Sequence, residues 1–368
     1  MTPHVRHAHP YARGVLRSRF NLLHAVIHAA VAAMSATALA ASLHAVVAAP
    51  TARVDPPANA PIAAKRNLYE RIVIVGASAS DGFGVFLHPT EATATGEAAA
   101  APTAPSKAPP IGVSLAMILR QAGAQPASAS PDAREPTTAA ILPTIRHFTS
   151  GFFFANPGPI ARSEVNRAID AQPTLVLALD YLFWFAYGTV NANGEPMRDA
   201  AQRLENLELG LQQLQRIIDA GAPIVVGDIP DMRESIGRML SKAQVPDADT
   251  IARANERIQA WIREHPSTRL LRLSEIQTKL RERMPVQLGG REWTSTDTTP
   301  LLQDDQLHPT FVGTVAIASA LIDTARAFDG DGPAPFTFNP ADIRSRILES
   351  KSAATPRQSV RESSPSTP

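Results

Sequence analysis

The sequence predicts an α/β protein with three layers, in which helices cover both faces of a central parallel β-sheet. Short apolar runs alternate with helical segments of ten to twenty residues along most of the 368-residue chain. Short runs of this kind are typical of parallel strands, because helices bury both faces of such a sheet. Because a crossover helix joins each pair of parallel strands, the alternation also predicts the connections between the strands.

The predicted strands and helices alternate from residue 71 onward. Five apolar segments are predicted to supply the strands, namely 71–76, a strand within 141–154, 174–179, 224–226 and 269–273. Five segments with apolar residues at helical spacing are predicted helices, namely 111–122, 160–171, 199–220, 249–265 and 310–328. In the longest helix, leucines recur at 204, 207, 211 and 214, and Gly221 ends the pattern.

Residues 1–49 are predicted to be a signal peptide or an N-terminal membrane anchor. They contain four arginines and no acidic residue, followed by an apolar segment over 22–49. The sequence Ala-Leu-Ala over 38–40 has the small residues that a cleavage site requires. An uncleaved anchor stays open because the segment is long for a signal sequence, although three histidines within it disfavour a spanning helix. In both cases the domain is expected outside the cytoplasm, periplasmic or secreted.

The rest of the chain is predicted to form one domain over 69–330, which follows an Ala/Pro-rich linker over 50–68. An Ala/Thr/Pro-rich stretch over 88–110 has few apolar side chains to bury, so a mobile insertion is predicted there. The Ser/Pro/Arg/Thr-rich end over 350–368 is predicted to be a disordered tail. The chain has no cysteine, which excludes disulfides and thiolate metal sites.

Composition also excludes several kinds of partner. Without the four arginines of the leader, 31 basic residues face 34 acidic ones, a net charge of −3. No basic patch or arginine-rich helix stands out, so nucleic acid is not an expected partner. The histidines lack the spacing of metal ligands and the Gly-x-Gly over 82–84 is too short to hold a phosphate, so neither a metal nor another cofactor is expected.

Two segments more than 200 residues apart carry the candidate chemistry. Gly-Ala-Ser-Ala-Ser over 76–80 follows the first predicted strand, which places Ser78 in the tight turn where that strand ends. Asp-Gln-Leu-His-Pro over 305–309 places Asp305 three residues before His308. A serine becomes nucleophilic when a histidine accepts its proton and a carboxylate holds that histidine in one tautomer. Since ligands bind beyond the carboxyl ends of parallel strands, both segments are expected at that edge.

His308 is the favoured base among the histidines. Six of the ten histidines lie in the leader, and the others are His88, His147, His265 and His308. Only His308 has a carboxylate at a fixed short spacing. His265 ends a predicted helix, where a histidine interacts favourably with the helix dipole.

The two segments resemble the first and last sequence blocks of the SGNH (GDSL-type) hydrolases. Residues 74–84 are similar to a strand followed by Gly-Asp-Ser-Leu-x-x-Gly-x-Gly, and residues 305–310 to Asp-x-x-His-Pro. The resemblance covers about residues 70–328 and implies the flavodoxin-like form of the three-layer fold. It further implies an esterase that works through an acyl-enzyme, with Ser78 as nucleophile, His308 as base and then acid, and Asp305 orienting the imidazole.

The middle blocks of that family, which complete the oxyanion hole, match less well. The second block implies the backbone N–H of Gly158, with Ala161 as the alternative, acting beside that of Ser78. The third block, Gly-x-Asn-Asp, has no counterpart, because the chain reads Leu-Asp-Tyr-Leu-Phe-Trp over 179–184. Losing one oxyanion donor costs about a hundredfold or more in rate. Either another donor such as Asn156 replaces the asparagine or the enzyme is slow.

Each candidate catalytic residue also has a structural alternative. Ser78 could cap the helix that follows it, since serine is common at that position. Ser80 is a second candidate nucleophile in the same turn. Asp305 and His308 could together cap the last predicted helix.

Asp180, Tyr181 and Trp184 are predicted to contact the substrate. They belong to an aromatic-rich stretch over 180–187, in a chain with few aromatic residues. Asp180 is as readily predicted to cap the next turn, and clustered aromatics are more often core than pocket. The expected substrate is a small-molecule, lipid or glycan ester. The alternative function is a binding domain that keeps the fold without the activity.

Overall fold

The structure is a computed structural model, and it describes residues 67–88, 109–123, 142–328 and 335–354. The predicted leader over 1–49, nearly all of the linker over 50–68 and most of the insertion over 88–110 lie outside these ranges. So does the predicted tail beyond residue 354.

The strands in the described residues form one five-stranded parallel sheet and two small antiparallel pairs. In chain order they are β1 (Arg71–Gly76), β2 (Phe86–Leu87), β3 (Ile111–Gly112), β4 (Thr144–Thr149), β5 (Leu175–Ala178), β6 (Ile224–Gly227), β7 (Thr268–Leu271), β8 (Val286–Leu288) and β9 (Arg291–Trp293). The parallel sheet has the order β4-β1-β5-β6-β7, whereas β2 pairs with β3 and β8 with β9. Numbered along the chain, the large sheet has the order 2-1-3-4-5, which is the flavodoxin-like arrangement.

Helices connect the strands of the large sheet. In chain order the described α-helices are α1 (Ser78–Asp81), α2 (Leu115–Gly123), α3 (Pro157–Asp170), α4 (Phe183–Ala186), α5 (Ala200–Asp219), α6 (Ala248–Glu264), α7 (Leu273–Arg281), α8 (Phe311–Arg326) and α9 (Pro340–Ala354). Aspartates cap the two longest helices: Asp199 accepts the Gln202 N–H at 2.9 Å, and Asp247 accepts the Thr250 N–H at 2.7 Å.

Two apolar cores lie on opposite faces of the sheet. In β1, Ile72 and Ile74 point into the first core, whereas Val73 and Val75 point into the second, because successive side chains of a strand face opposite sides. Helices α2, α7, α8 and α9 supply the first core, and α3, α5 and α6 supply the second. The predicted three-layer α/β/α fold is therefore confirmed.

Helix α9 corrects the predicted end of the domain. The predicted domain ends at residue 330 and the predicted tail starts at 350, whereas α9 continues to Ala354. Ile343, Ile347 and Leu348 are buried in the first core, and this burial fixes the helix on the domain. The segment has few apolar residues among many charged ones, so its periodicity is weak in the sequence. Of the helices within the described ranges, none has both the length and the apolar character to cross a bilayer.

Candidate active site

The candidate site lies at the carboxyl edge of the sheet, where β1 and β5 end side by side. Ser78 follows β1, and Asp180 follows β5. The chain passes from β1 to β4 on one side of β1 and then crosses to β5 on the other side. Strands β1 and β5 therefore flank the topological switch point. A crevice forms at such a point in open α/β sheets, and ligands bind there.

Ser78, His308 and Asp305 form a continuous chain of hydrogen bonds. The Nε2 atom of His308 lies 2.9 Å from Ser78 Oγ, and its Nδ1 atom lies 2.7 Å from Asp305 Oδ2. The imidazole is buried, with 3 % of the residue exposed. The structure thus brings together a hydroxyl, a base and a carboxylate at the distances that nucleophilic catalysis requires.

Asp305 fixes the turn that presents His308. Its Oδ1 atom accepts the N–H groups of Leu307 and His308, each at 2.9 Å. Gln306 has a φ of 59°, and Gln277 from α7 donates its side-chain amide to the Gln306 carbonyl at 3.2 Å. Burial alone would raise the pKa of Asp305, but the hydrogen bonds from His308 and the backbone outweigh it and hold that pKa below its usual value.

The structural alternatives for these residues are not observed. Thr310 caps α8 by accepting the Gly313 N–H at 3.2 Å, so Asp305 and His308 do not. The Ser78 hydroxyl makes no cap of α1. Ser80 is fully buried and donates its hydroxyl to Asp180 at 2.5 Å, which leaves it inaccessible to a substrate.

Asp180 holds the turn that carries Ser78. One carboxylate oxygen accepts the Ala77 N–H at 2.9 Å and the Ser80 hydroxyl, and the other accepts the Ala79 N–H at 2.8 Å. A Cβ atom at Gly76 would overlap this carboxylate, so a glycine is needed there. Asp180 does border the cavity beside Ser78. Its oxygens accept hydrogen bonds from this earlier turn, and not from the turn that follows Asp180, which the capping alternative had predicted.

Replacing Asp180 with asparagine is expected to destabilise the protein by about 1–3 kcal/mol. The amide NH₂ would face backbone N–H donors of the turn, and those donors would be buried without an acceptor. Urea unfolding of the wild type and the variant measures the loss. Ser80→Ala is the matched control, because it removes one donor and leaves the acceptor intact, and we expect a loss of about 0.5–1.5 kcal/mol. Equal losses in both variants would contradict this role of the carboxylate.

The structure does not bring the other predicted oxyanion donors to the cavity. Gly158 packs against the backbone carbonyl of Ala192, and Ala161 is fully buried within α3. Asn156 is exposed at the start of that helix. None of these predicted donors borders the cavity that contains Ser78. The Ser78 N–H, in contrast, has no acceptor among the described residues and remains available as a donor.

A small apolar cavity opens beside Ser78 and His308. Its volume is about 40 Å³. The apolar part of its wall includes side chains that follow β5 and β6 or lie in α4, α7 and α8: Leu179, Phe183, Pro230, Met232, Leu273 and Ile317. A substrate group bound here would be surrounded by hydrocarbon on most sides.

The aromatic cluster after β5 belongs mainly to the core. Tyr181 is fully buried, with its ring 5.5 Å from that of Phe153, and Trp184 packs against Phe154 and Phe183. Neither Tyr181 nor Trp184 borders the cavity, so the structure does not bring these two predicted substrate contacts to it. Phe183 is the aromatic residue of this cluster on the cavity wall. Because five aromatic residues lie within seven positions, the sequence does not indicate which of them borders the cavity.

Phe83 is a site residue that the sequence did not single out. Its ring centroid lies 4.7 Å from that of the His308 imidazole, and 40 % of the residue is exposed. The Gln303 side chain donates to the Phe83 carbonyl at 2.9 Å, which anchors the loop. Glycines with positive φ flank it at 82 and 84. The signal in the sequence that could have indicated Phe83 is a large aromatic residue between two glycines, close after the candidate nucleophile.

Asp228, which follows β6, has a structural role. Its two carboxylate oxygens accept the backbone N–H and the hydroxyl of Ser274, each at 2.6 Å, at the start of α7. Burial is the largest influence on the pKa of Asp228 and raises it. Across the described ranges, no three acidic or histidine side chains are grouped so that they could hold a metal ion.

Glu164 is a buried acid of α3 that contacts the end of β1. Its Oε2 atom accepts the Gly76 N–H at 3.1 Å, and its Oε1 atom has no hydrogen-bond partner among the described residues. Burial raises the pKa of Glu164 to about 9, since removal from water penalises the charged form. The side chain is therefore neutral at pH 7.

The Glu164 proton makes stability depend on pH. Between the usual value of 4.5 and a pKa of about 9, the folded state holds a proton that the unfolded state releases. This contribution is complete below pH 4.5 and is lost as pH rises through 9, at most about 1.4 kcal/mol per pH unit. Glu164→Gln should flatten the decline in the free energy of unfolding measured in urea from pH 5 to 9. The same slope in both proteins would contradict a neutral Glu164.

In the comparisons with known proteins, the chain has matches among solved structures. No family model matches the sequence, and no curated protein matches it either. Among solved structures, a gut microbial diltiazem-metabolizing enzyme is similar with a TM-score of 0.38 and 14 % identity. The alignment covers 70 % of this chain and 46 % of that enzyme, so the chain spans less than half of its length.

Proposed function

We propose that this chain is an exported serine hydrolase that cleaves ester bonds through an acyl-enzyme. The observation that carries the proposal is the hydrogen-bonded chain from Ser78 through His308 to Asp305, next to a cavity. The 2.9 Å separation of Ser78 Oγ and His308 Nε2 suits direct proton transfer between these two atoms. The resemblance of both sequence segments to SGNH hydrolases supports the same assignment.

The proposed reaction has two halves. Ser78 Oγ attacks the ester carbonyl carbon while His308 Nε2 takes the hydroxyl proton, and Asp305 stabilises the imidazolium through Nδ1. His308 then gives this proton to the alcohol oxygen as the carbon–oxygen bond breaks. In the second half, His308 takes a proton from water as the water oxygen attacks the acyl carbon. The proton returns to Ser78 Oγ, and the carboxylic acid leaves.

The Ser78 N–H is the donor that we assign to the oxyanion. Among the residues that border the cavity, Gln277 supplies the one side-chain amide, and that amide donates to the Gln306 carbonyl. The loss of one donor from an oxyanion hole lowers kcat by a factor of about 10²–10³. We therefore expect a slow enzyme for its class.

Labelling with a fluorophosphonate tests the proposal. An activated serine oxygen forms a bond to phosphorus and fluoride leaves, whereas an ordinary serine does not react. We expect the wild type and Ser80→Ala to be labelled and Ser78→Ala to remain unlabelled. A correctly folded wild type that does not label would support the alternative, a binding domain without catalytic activity.

The proposed location is periplasmic or secreted. Four arginines followed by an apolar segment within residues 1–49 support export. N-terminal sequencing of the protein from the periplasm of a bacterial host tests this. We expect the mature chain to begin close to residue 41. A full-length chain in the membrane fraction would support the anchor, and a full-length chain in the cytoplasm would contradict export.

A further inference from the structure

We propose that Gln303 is a positioning residue for the reaction, because its side-chain amide joins the loop that carries Ser78 to the turn that carries His308. This inference rests on the proposed hydrolase function. It assigns to Gln303 the control of the distance between the nucleophile and its base, which is the distance that the proton must cross.

The Gln303 amide donates to two backbone carbonyls. Its Nε2 atom lies 2.9 Å from the Phe83 carbonyl oxygen and 2.8 Å from the Pro309 carbonyl oxygen. Since a carbonyl oxygen only accepts hydrogen bonds, the NH₂ end of the amide must face this pair, and both of its N–H groups are used. Phe83 is 220 residues away from Gln303 in the chain, so one side chain links two separate segments.

Both of these carbonyls lie close to a catalytic group. Pro309 directly follows His308 in the chain. The Phe83 N–H donates to the Ser78 carbonyl at 2.9 Å, and the centroid of the Phe83 ring lies 4.7 Å from that of the His308 imidazole. The Gln303 amide therefore completes a short connection from the backbone of Ser78 to the backbone of His308.

Gln303 is itself fixed to the turn that presents His308. Its N–H donates to the His308 carbonyl at 2.8 Å, and its carbonyl accepts the Gln306 N–H at 3.0 Å. Leu302 and Pro309 pair in an isolated antiparallel bridge where this turn begins and ends. The Gln303 side chain is therefore part of the His308 turn, and its amide fixes the loop after Ser78 relative to that turn.

Gly84 allows the amide to approach this loop closely. Its φ is 71°, and a Cβ atom placed on it would lie 2.4 Å from Gln303 Oε1. A side chain at this position would therefore displace the amide. This contact gives a structural reason for the second glycine of the Gly-x-Gly over 82–84, which is too short to hold a phosphate.

The Gln303 amide holds the two segments together independently of the catalytic groups. Within the described residues 76–87 and 301–311, the hydrogen bonds that cross between the segments are the one from this amide and the one between Ser78 and His308. Proton transfer requires its two heavy atoms to be within hydrogen-bond distance. A displacement of about 1 Å can slow a reaction about a hundredfold. The rate of the reaction is therefore expected to depend on this amide.

Gln303→Met tests the inference, because methionine keeps the length of the side chain and removes the NH₂ donors. We expect kcat for p-nitrophenyl acetate to fall by about 10- to 100-fold, with little change in KM. The rate constant for fluorophosphonate labelling of Ser78 should fall by the same factor. Gln303→Ala is the second variant and should show at least the same loss.

Gln287→Met is the matched control for the loss of a glutamine amide. The Gln287 amide donates to Glu292 at 3.1 Å in the β8–β9 pair, and it reaches neither of the two segments. We expect its kcat and its labelling rate to equal those of the wild type. A loss in Gln287→Met as large as that in Gln303→Met overturns the inference.

The tautomer of His308 separates a positioning role from a merely structural one. Nitrogen NMR of histidine-labelled protein, at a pH where the ring is neutral, reports which ring nitrogen carries the proton, and His308→Gln assigns the signal. Asp305 contacts Nδ1 from within the same turn. We therefore expect Gln303→Met to keep the Nδ1–H form while labelling slows.

The outcomes also separate this inference from the proposed function. Slower labelling with the Nδ1–H form intact supports the positioning role. The inference is overturned if kcat in both Gln303 variants stays within about threefold of the wild type, and the hydrolase then stands without it. It is also overturned if both variants lose the Nδ1–H form together with activity, because Gln303 then only holds the turn together. A wild type that neither labels nor hydrolyses esters overturns the proposed function, and this inference with it.

Discussion

Ser78→Ala is expected to lower kcat/KM for p-nitrophenyl acetate by about 10⁴-fold or more. The substitution removes the oxygen that would form the acyl-enzyme, and no other residue that borders the described cavity carries a hydroxyl. Ser80 is two residues away, but it is fully buried and its hydroxyl is bonded to Asp180. Steady-state kinetics of purified wild type and variant measure the effect.

Ser80→Ala is the control for the loss of a hydroxyl in the same turn. It should keep activity within about tenfold of the wild type, because it weakens the support of the turn by one hydrogen bond. Circular dichroism of both variants should match that of the wild type. An active Ser78→Ala together with an inactive Ser80→Ala would mean that the nucleophile is assigned to the wrong serine.

The sheet could be predicted because its signal is local. The strand β1 is a run of apolar residues that are buried on both faces, and the same holds for β5 and β6. Helix α9 was not predicted, because its own sequence has only a few apolar residues among charged ones. Its contacts with α2 and α8 stabilise it on the domain. Tertiary packing decides such a helix, and a single sequence does not contain that information directly.

The candidate site likewise contains residues that local sequence predicts and residues whose positions depend on tertiary packing. Ser78 and the Asp305–His308 pair could be predicted, because a turn after a strand and a spacing of three residues fix their local geometry. Tyr181 and Trp184 could not be placed, because their directions depend on how α4 packs against the second core. The role of Asp180 depends on its register beside β1, since its partners are about 100 residues away in the chain.

Asp305→Asn is expected to lower kcat by about 10⁴-fold and to change KM little. An asparagine oxygen can keep the backbone N–H groups of Leu307 and His308, but its NH₂ would then face Nδ1. That arrangement places the imidazole proton on Nε2, so the ring can no longer accept a proton from Ser78. Steady-state kinetics at one pH, with wild-type and variant proteins compared by circular dichroism, separate this effect from unfolding.

Asp304→Asn is the matched control for that loss, because Asp304 is the exposed neighbour and its carboxylate makes no hydrogen bond in the described part of the structure. Since the hydrogen bonds to Asp305 hold its pKa below the usual 3.8, its charge and the support it gives are present above that pH and are lost only as pH falls below it. Titration of Asp305 itself should therefore not change the gap between wild type and Asp305→Asn from pH 5 to pH 8. The assignment is contradicted if kcat falls less than about tenfold in Asp305→Asn and by the same factor in Asp304→Asn. In that case the Asp305 carboxylate does not set the tautomer of His308. The turn alone would then orient the imidazole.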